Sequence, residues 1–330
     1  MKSKIYKTAI IILAIAGIFA MASCKASDDK EGASNKKEQS EENTGDKYIF
    51  TDSTGAKVEV QKNPGKVAVL YASYADLWQL AGGKVSITIQ GSVDRGFVKE
   101  DDVTIVGDSA GKTIDSEALI ASQPDFVILT TDLSGQLELV DLLRENNIPV
   151  AAMTEDSFED YLNLLKIFTD ITGDREAYET YGTGLEAEIN DIKKKIQESD
   201  NVQPEVLLIR AYSTGAKAKV DDNFVGVMLK ELGCDNIADH GNILLEEFST
   251  EAIVAENPKY VFVTTMGNDT DAAVKYMEDL IESSDAWQTI DAIKNNNYYV
   301  LSKELFHYKP NARWAEAYRE LAKILYPDLF

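Results

Sequence analysis

The stretch SEALIASQPDFVILTT at residues 116–131 returns as TEAIVAENPKYVFVTT at residues 250–265. Seven of the sixteen positions are identical, including Glu117/Glu251, Pro124/Pro258 and Thr131/Thr265, and most others are conservative pairs. The physics is the same in both copies. Ser116 or Thr250 is placed to cap a helix N-terminus, and the acid beside it suits the positive helix end. The helix must stop near Pro124 or Pro258, because the residue before a proline avoids the helical region. A near-continuous apolar run then reads as a strand buried on both faces, the mark of a parallel sheet.

The flanks repeat more loosely. Residues 66–70 (KVAVL) and 205–209 (EVLLI) read as strands, each followed by a helix and a glycine at 76–83 and 225–233. After each repeat come another helix and another strand, IPVAAM at 148–153 and YYVLS at 298–302. Strands alternating with helices indicate parallel α/β architecture. Between the two halves, residues 175–199 carry Tyr178, Tyr181, Leu185, Ile189, Ile192 and Ile196 at helical spacing, interrupted by Gly182 and Gly184. Such a helix is roughly 37 Å long at 1.5 Å per residue, enough to cross between lobes. The expected fold class is therefore α/β, with two similar parallel-sheet lobes joined by a single long backbone helix and a ligand cleft between them. The expected boundaries are 48–173 for the first lobe, 174–200 for the helix and 201–330 for the second lobe.

The front of the chain carries an address. Lys2, Lys4 and Lys7 precede an apolar run of 14 residues, Ala9 to Ala22. A spanning helix needs about 20 apolar residues, so a secretory signal fits better. Met21 to Cys24 (MASC) resembles the lipobox of bacterial lipoproteins, with Met21 departing from the usual Leu. That resemblance implies a signal peptide at 1–23 and lipidation at Cys24; the alternative is a plain signal peptide with an incidental cysteine. Residues 25–46 contain no Leu, Ile, Val, Phe, Tyr or Trp and cannot bury enough apolar area to offset ordering entropy. Residues 24–47 thus read as a lipidated cysteine and polar tether, placing the body outside the cell membrane.

The net charge is −23, and losing the signal's three lysines takes it to −26. That excludes nucleic acid and anionic membrane surfaces as partners. Beyond Cys24 the only cysteine is Cys234, so no disulfide framework exists, and Cys234 reads as a small buried apolar residue. His240 and His307 are the only histidines, too few for a typical bare-metal site of three or four Cys, His and carboxylate ligands. No metal site or resident cofactor is expected.

Lipobox, tether, two lobes and a connecting helix together resemble the helical-backbone class of periplasmic binding proteins, the capture subunits of ABC importers for vitamin B12, iron-siderophores and heme. FTDSTGAKVEV at 50–60, PDFVIL at 124–129, LKELGCDNIA at 229–238 and WQTIDAIKNNNYYVL at 287–301 stand in the family's order. The resemblance implies that Glu117 and Glu251, one per lobe, dock onto arginines of an ABC permease with its ATPase. Ordinary first-turn helix acids are the alternative for both.

The ligand site is expected at loops after the strand C-termini, where open α/β sheets bind. On that rule the candidates are Tyr71, Ser73 and Tyr74 after the first strand, and Arg95 in the loop after VSITIQ. Arg210 and Tyr212 follow the first strand of the second lobe, and Phe306, His307, Tyr308 and Lys309 lie between the last strand and last helix. Aromatics offer flat contact, and Arg or Lys pairs with carboxylates. This set suits a metal chelate or other bulky small molecule. A ferric siderophore is the leading expectation, by family analogy; heme, with His307 or Tyr308 as axial ligand, and cobalamin are alternatives. No GxSxG, HExxH, P-loop or GxGxxG motif is present, so an exported enzyme is the lesser reading. A monomer is expected, since one shuttle must present both lobes.

Overall fold

In the computed structural model, residues 46–199, 203–241, 243–246, 248–267 and 269–330 are described; Cys24 and the signal lie outside them. An antiparallel hairpin comes first, β1 (Lys47–Thr51) with β2 (Lys57–Gln61), and Phe50, Val58 and Val60 turn inward. Buried Asp52 closes its turn by accepting from the Thr54 and Ala56 amides, and its second oxygen accepts from Ala152 N at 3.1 Å. The hairpin is thereby pinned to the first sheet.

That sheet contains β3 (Val67–Val69), β4 (Val85–Thr88), β5 (Thr104–Ile105), β6 (Phe126–Thr130) and β7 (Val150–Met153), parallel throughout and ordered β5-β4-β3-β6-β7. The second sheet contains β8 (Glu205–Tyr212), β9 (Gly215–Lys219), β10 (Asp235–Asn236), β11 (Tyr260–Thr265) and β12 (Tyr298–Val300). Its parallel order is β10-β8-β11-β12, with β9 antiparallel to β8. In both sheets, neighbours on either side of the first strand create a topological switch point, the place where α/β sheets take ligands.

The repeat folds as its residues dictate, with one correction. Helices Ser116–Ala121 and Thr250–Glu256 precede β6 and β11, but the caps lie one residue earlier than expected. Asp115 accepts from Ala118 N and Ser249 Oγ from Ala252 N, which leaves Ser116 and Thr250 inside the helix. Gln123 and Asn257, immediately before the prolines, exit through the left-handed region at φ 48° and 49°.

The link between the lobes is helical from Arg175 to Gln197, with a wider π turn at Glu179–Thr183 where the glycines fall. A Cβ on Gly182 would meet the Tyr178 ring at 3.1 Å, and Tyr161 donates its hydroxyl to the loosened Tyr181 carbonyl at 2.9 Å. Leu185, Ile189 and Ile192 bury the inner face. The closing helix, Trp314–Leu325, lies beside it, with Arg319 to Glu188 at 2.8 Å. One core runs through both lobes here: Trp314 packs against Phe158 and Tyr161 from the first half and Phe224 from the second. The outer face of each sheet has its own separate core.

Candidate functional site

On the first lobe, β3 ends at Val69 and the chain enters helix Ala72–Leu80 through Tyr71, still extended at φ −137°. The Tyr71 ring meets Tyr74 edge-on, centroids 4.9 Å apart. Tyr71 is half-buried, whereas Tyr74 is fully buried and donates its hydroxyl to the Met153 carbonyl at 3.2 Å. Ser73 is buried too, and its Oγ accepts from Arg95 Nη1 at 2.9 Å. Arg95 sits at the end of a short helix, Gln90–Asp94, rather than in the open loop expected. The guanidinium lies 4.5 Å over Phe97 and 4.0 Å over Tyr308, so it is stacked as well as bonded.

On the second lobe, Arg210 and Tyr212 lie within β8 and not beyond it, because the chain turns back at once as β9. The strand continues past the expected Ile209 into a hairpin that the sequence does not announce, since AYSTGAKAK lacks a strong β signal. Two positions apart on a strand, both side chains share one face. Arg210 Nε is buried and has no hydrogen-bond partner.

The FHYK segment closes the ring. Phe306 ends helix Lys303–Phe306 and points into the core, 2% exposed, so it lies away from the cleft. The His307 and Tyr308 rings meet at a tilt, centroids 5.2 Å apart, and remain half-buried. Burial first, and then the charges of Lys303, Arg210, Arg95 and Lys309, push His307 down to about 4. The imidazole is therefore neutral near pH 7, held so by burial first and by nearby positive charge second.

Lys309 is placed differently from the expectation. Its side chain is 6% exposed; Nζ donates to the Glu155 carbonyl and lies 3.4 Å from Asp156 Oδ1 and 3.9 Å from Asp132 Oδ2. Burial alone would lower its pKa, but Tyr71, Glu155, Asp132 and Asp156 hold it above the usual lysine range. Two residues on, Asn311 Nδ2 donates to the Ser73 carbonyl at 2.8 Å and Asp76 Oδ2 at 2.7 Å. Glu155 is wholly buried and pushed up to about 8 by burial, against the opposing pull of Lys309. The Trp314 indole is close enough to temper that rise, yet neither group makes a hydrogen bond of good geometry.

Asp76, Asp132, Glu155, Lys303 and Asn311 were not among the sequence candidates. Asp132, Glu155 and Lys303 follow the ends of β6, β7 and β12, so the C-terminal rule reaches them too. Asp76 lies inside a helix and gives no such signal. Glu117 and Glu251 are exposed in the first turns of equivalent helices, with Ser249 Oγ donating to Glu251 Oε2 at 3.2 Å. Cys234 is buried and unpaired, as its apolar surroundings suggested.

Residues 67–305 match the model of a family described as periplasmic binding protein. No curated protein matches the chain. Among solved structures, an ABC transporter substrate-binding protein from Listeria monocytogenes is similar at TM-score 0.67 and 20% identity, covering 81% of this chain and 100% of that one. IsdE of S. aureus, complexed with heme, aligns at TM-score 0.64 and 16% identity over 79% of this chain and 98% of its own. SirA of Staphylococcus aureus, complexed with staphyloferrin B, aligns at 0.63 and 20% over 85% and 98%. At such identities the structures establish a shared fold, and the family match covers most of the chain.

Proposed function

Because the chain belongs to the periplasmic binding protein family, we propose that it is the solute-binding subunit of an ABC importer, capturing an iron chelate of the ferric siderophore type. It is a binding protein and not an enzyme. The observation that carries the ligand class is Arg210, whose Nε is a buried donor without a partner, with Arg95 and Lys303 adding positive charge felt at the neutral His307. An unmet charged donor beside other cations is costly unless an anion completes it. Carboxylate or catecholate arms do so, while Tyr71, Tyr212 and Tyr308 offer flat faces to the body of the chelate. SirA, similar in fold, is complexed with staphyloferrin B.

Around that core stand the further parts of the reading. Residues 1–23 are the signal, Cys24 is the lipid anchor and the polar residues after it are the leash holding a monomer outside the membrane. The leash ends one residue earlier than the expected 47, because Lys47 already pairs with Gln61 in β1. The lobes adjust by a limited hinge, and Glu117 and Glu251 meet the permease, supported by their exposure and matching positions. Heme is a second reading, supported by one observation: a histidine held neutral to about pH 4 is free to offer a ring nitrogen to iron. IsdE carries that ligand in a similar fold.

The test is a titration of residues 25–330 with ferric citrate, a ferric catecholate, haemin and cobalamin, read by thermal shift. A ligand at 100 times its dissociation constant adds about 2.7 kcal/mol. Arg210→Met is expected to weaken binding of the anionic chelate by about tenfold to a hundredfold, the worth of a charged hydrogen bond. A haemin response with an altered Soret band in His307→Ala selects the second reading. Silence from the wild-type protein across all four ligands overturns both.

A further inference from the structure

The segment from Tyr308 to Asn311 leaves the second lobe after β12 and grips the first lobe at three points. Tyr308 lies under the Arg95 guanidinium, Lys309 enters a pocket of first-lobe oxygens, and Asn311 bridges Ser73 and Asp76. A ligand contact should present its charge to the cleft, yet Lys309 turns its ammonium away into protein. Phe224 lies 5.5 Å from Nζ and covers it from the second lobe. Each oxygen that the ammonium meets, on Glu155, Asp156 and Asp132, belongs to the first lobe. A buried ammonium is tolerated only when paired and hydrogen-bonded, so the lobes cannot part along this strap without stranding it.

We propose that Lys309 is an inter-lobe latch, a positioning residue that fixes the resting opening of the cleft and aims His307 and Tyr308 into it without touching the ligand. Pro310 restricts the backbone beyond it. Asn311 at φ 50° then turns the chain into the closing helix. Glu155 contributes its backbone carbonyl; the counter-charges are Asp132 and Asp156, both part-exposed at the seam. The aim of the ring pair toward a ligand rests on the cleft reading above, whereas the latch itself does not.

Two variants on opposite lobes test it: Lys309→Met, which keeps the stem and removes the charge, and Asp132→Asn with Asp156→Asn. Spin labels at Glu138→Cys and Asp271→Cys, exposed positions on different lobes, report the opening by pulsed dipolar spectroscopy without ligand. The parent protein should give one narrow distance distribution. Each variant should lengthen or broaden it, and the combined variant should add little more, since both remove one interaction. Ferric citrate affinity should fall about tenfold in both if the competent opening drops to about a tenth of the population. Distributions unchanged from the parent in both variants, or additive effects in the combination, overturn the latch. Altered distributions in a protein whose parent binds no ferric citrate, ferric catecholate, haemin or cobalamin would leave the latch standing and remove the ligand reading. If Lys309→Met does not fold, the aspartate pair alone carries the test.

Discussion

The two lobes share a scaffold and part company at the cleft. The order β4-β3-β6-β7 in the first corresponds to β10-β8-β11-β12 in the second, and both have the same helix–proline–strand unit beneath. But β3 is three residues long and passes directly into a helix, with β4 filling its edge. By contrast, β8 runs eight residues, and its partner β10 supports only the first two. The strand therefore folds back as β9 along the edge that β10 vacates, since β11 already occupies the other. That hairpin places Arg210 and Tyr212 at the rim. Charge divides less cleanly: the first lobe brings Asp76, Asp132 and Asp156 to the seam together with Arg95, whereas the second brings the cations Arg210, Lys303 and Lys309. Duplication supplied two frames, and the cleft edge is where they stopped being copies.

If the lobes are held as one body by the core between them, Trp314 should matter to both and Trp287 to one. Both indoles are fully buried, but Trp314 packs on rings from each half, while Trp287 stacks on Phe248 within the second lobe. Truncating either to alanine should cost roughly 3–5 kcal/mol. Hydrogen exchange separates them. Trp314→Ala should expose amides in both sheets and Trp287→Ala only those of β11 and β12; equal protection in the first sheet for both variants would mean independent lobes.

The two histidines sharpen the contrast with opposite pH signs. His307 at the seam is depressed to about 4 by burial and the surrounding cations. Its contribution is thus present above the unfolded value near 6.5 and is lost as pH falls toward 4, a gap worth roughly 3 kcal/mol. On the outer side of the second lobe, His240 donates or accepts at 2.8 Å to Glu256 and 2.9 Å to Asp235, hydrogen bonds that raise its pKa. Its stabilisation is full below the unfolded value and disappears as pH rises through the folded one. Half-exposure keeps it smaller, of the order of a surface pair at about 1 kcal/mol or less. His307→Gln should flatten the acid limb of the stability curve and His240→Gln should lower stability most at acid pH. Two imidazole resonances titrating together would refute the assignment.

Much of the scaffold was legible because the repeat states it twice. Two copies of one apolar run after one proline fix both central strands, and the buried helical stripe from Tyr178 to Ile196 fixes the connector. The glycines that seemed only to weaken that helix instead permit its π turn, which depends on how Tyr178 and Leu165 pack against Gly182. Site residues were legible where they follow strands, as Tyr71 and Arg95 do. Side-chain direction was not: Phe306 and His307 are neighbours in sequence, yet one enters the core and the other stays half-buried against Tyr308. Lys309 is a candidate by its place between the last strand and last helix, but its burial depends on acids more than 150 residues earlier in the chain.

The finest difference between the lobes is the residue type that occupies one backbone conformation. Gln123 and Asn257 occupy the same position before the proline, both left-handed. Outside glycine, asparagine and aspartate, that conformation costs about 1–2 kcal/mol through the crowding of Cβ against the carbonyl. Asparagine escapes part of the cost because its short amide bonds locally, and the Asn257 Oδ1 accepts from Asp291 N at 2.8 Å. The first lobe thus carries strain that the second relieves. Gln123→Asn should stabilise the protein by about 0.5 kcal/mol and Asn257→Gln should destabilise it by about 1 kcal/mol or more, losing the hydrogen bond as well. Chemical denaturation with unchanged slope measures both. A Gln123→Asn protein no more stable than the parent would show that this turn is set by the proline and the strand that follows, with the side chain at the corner indifferent.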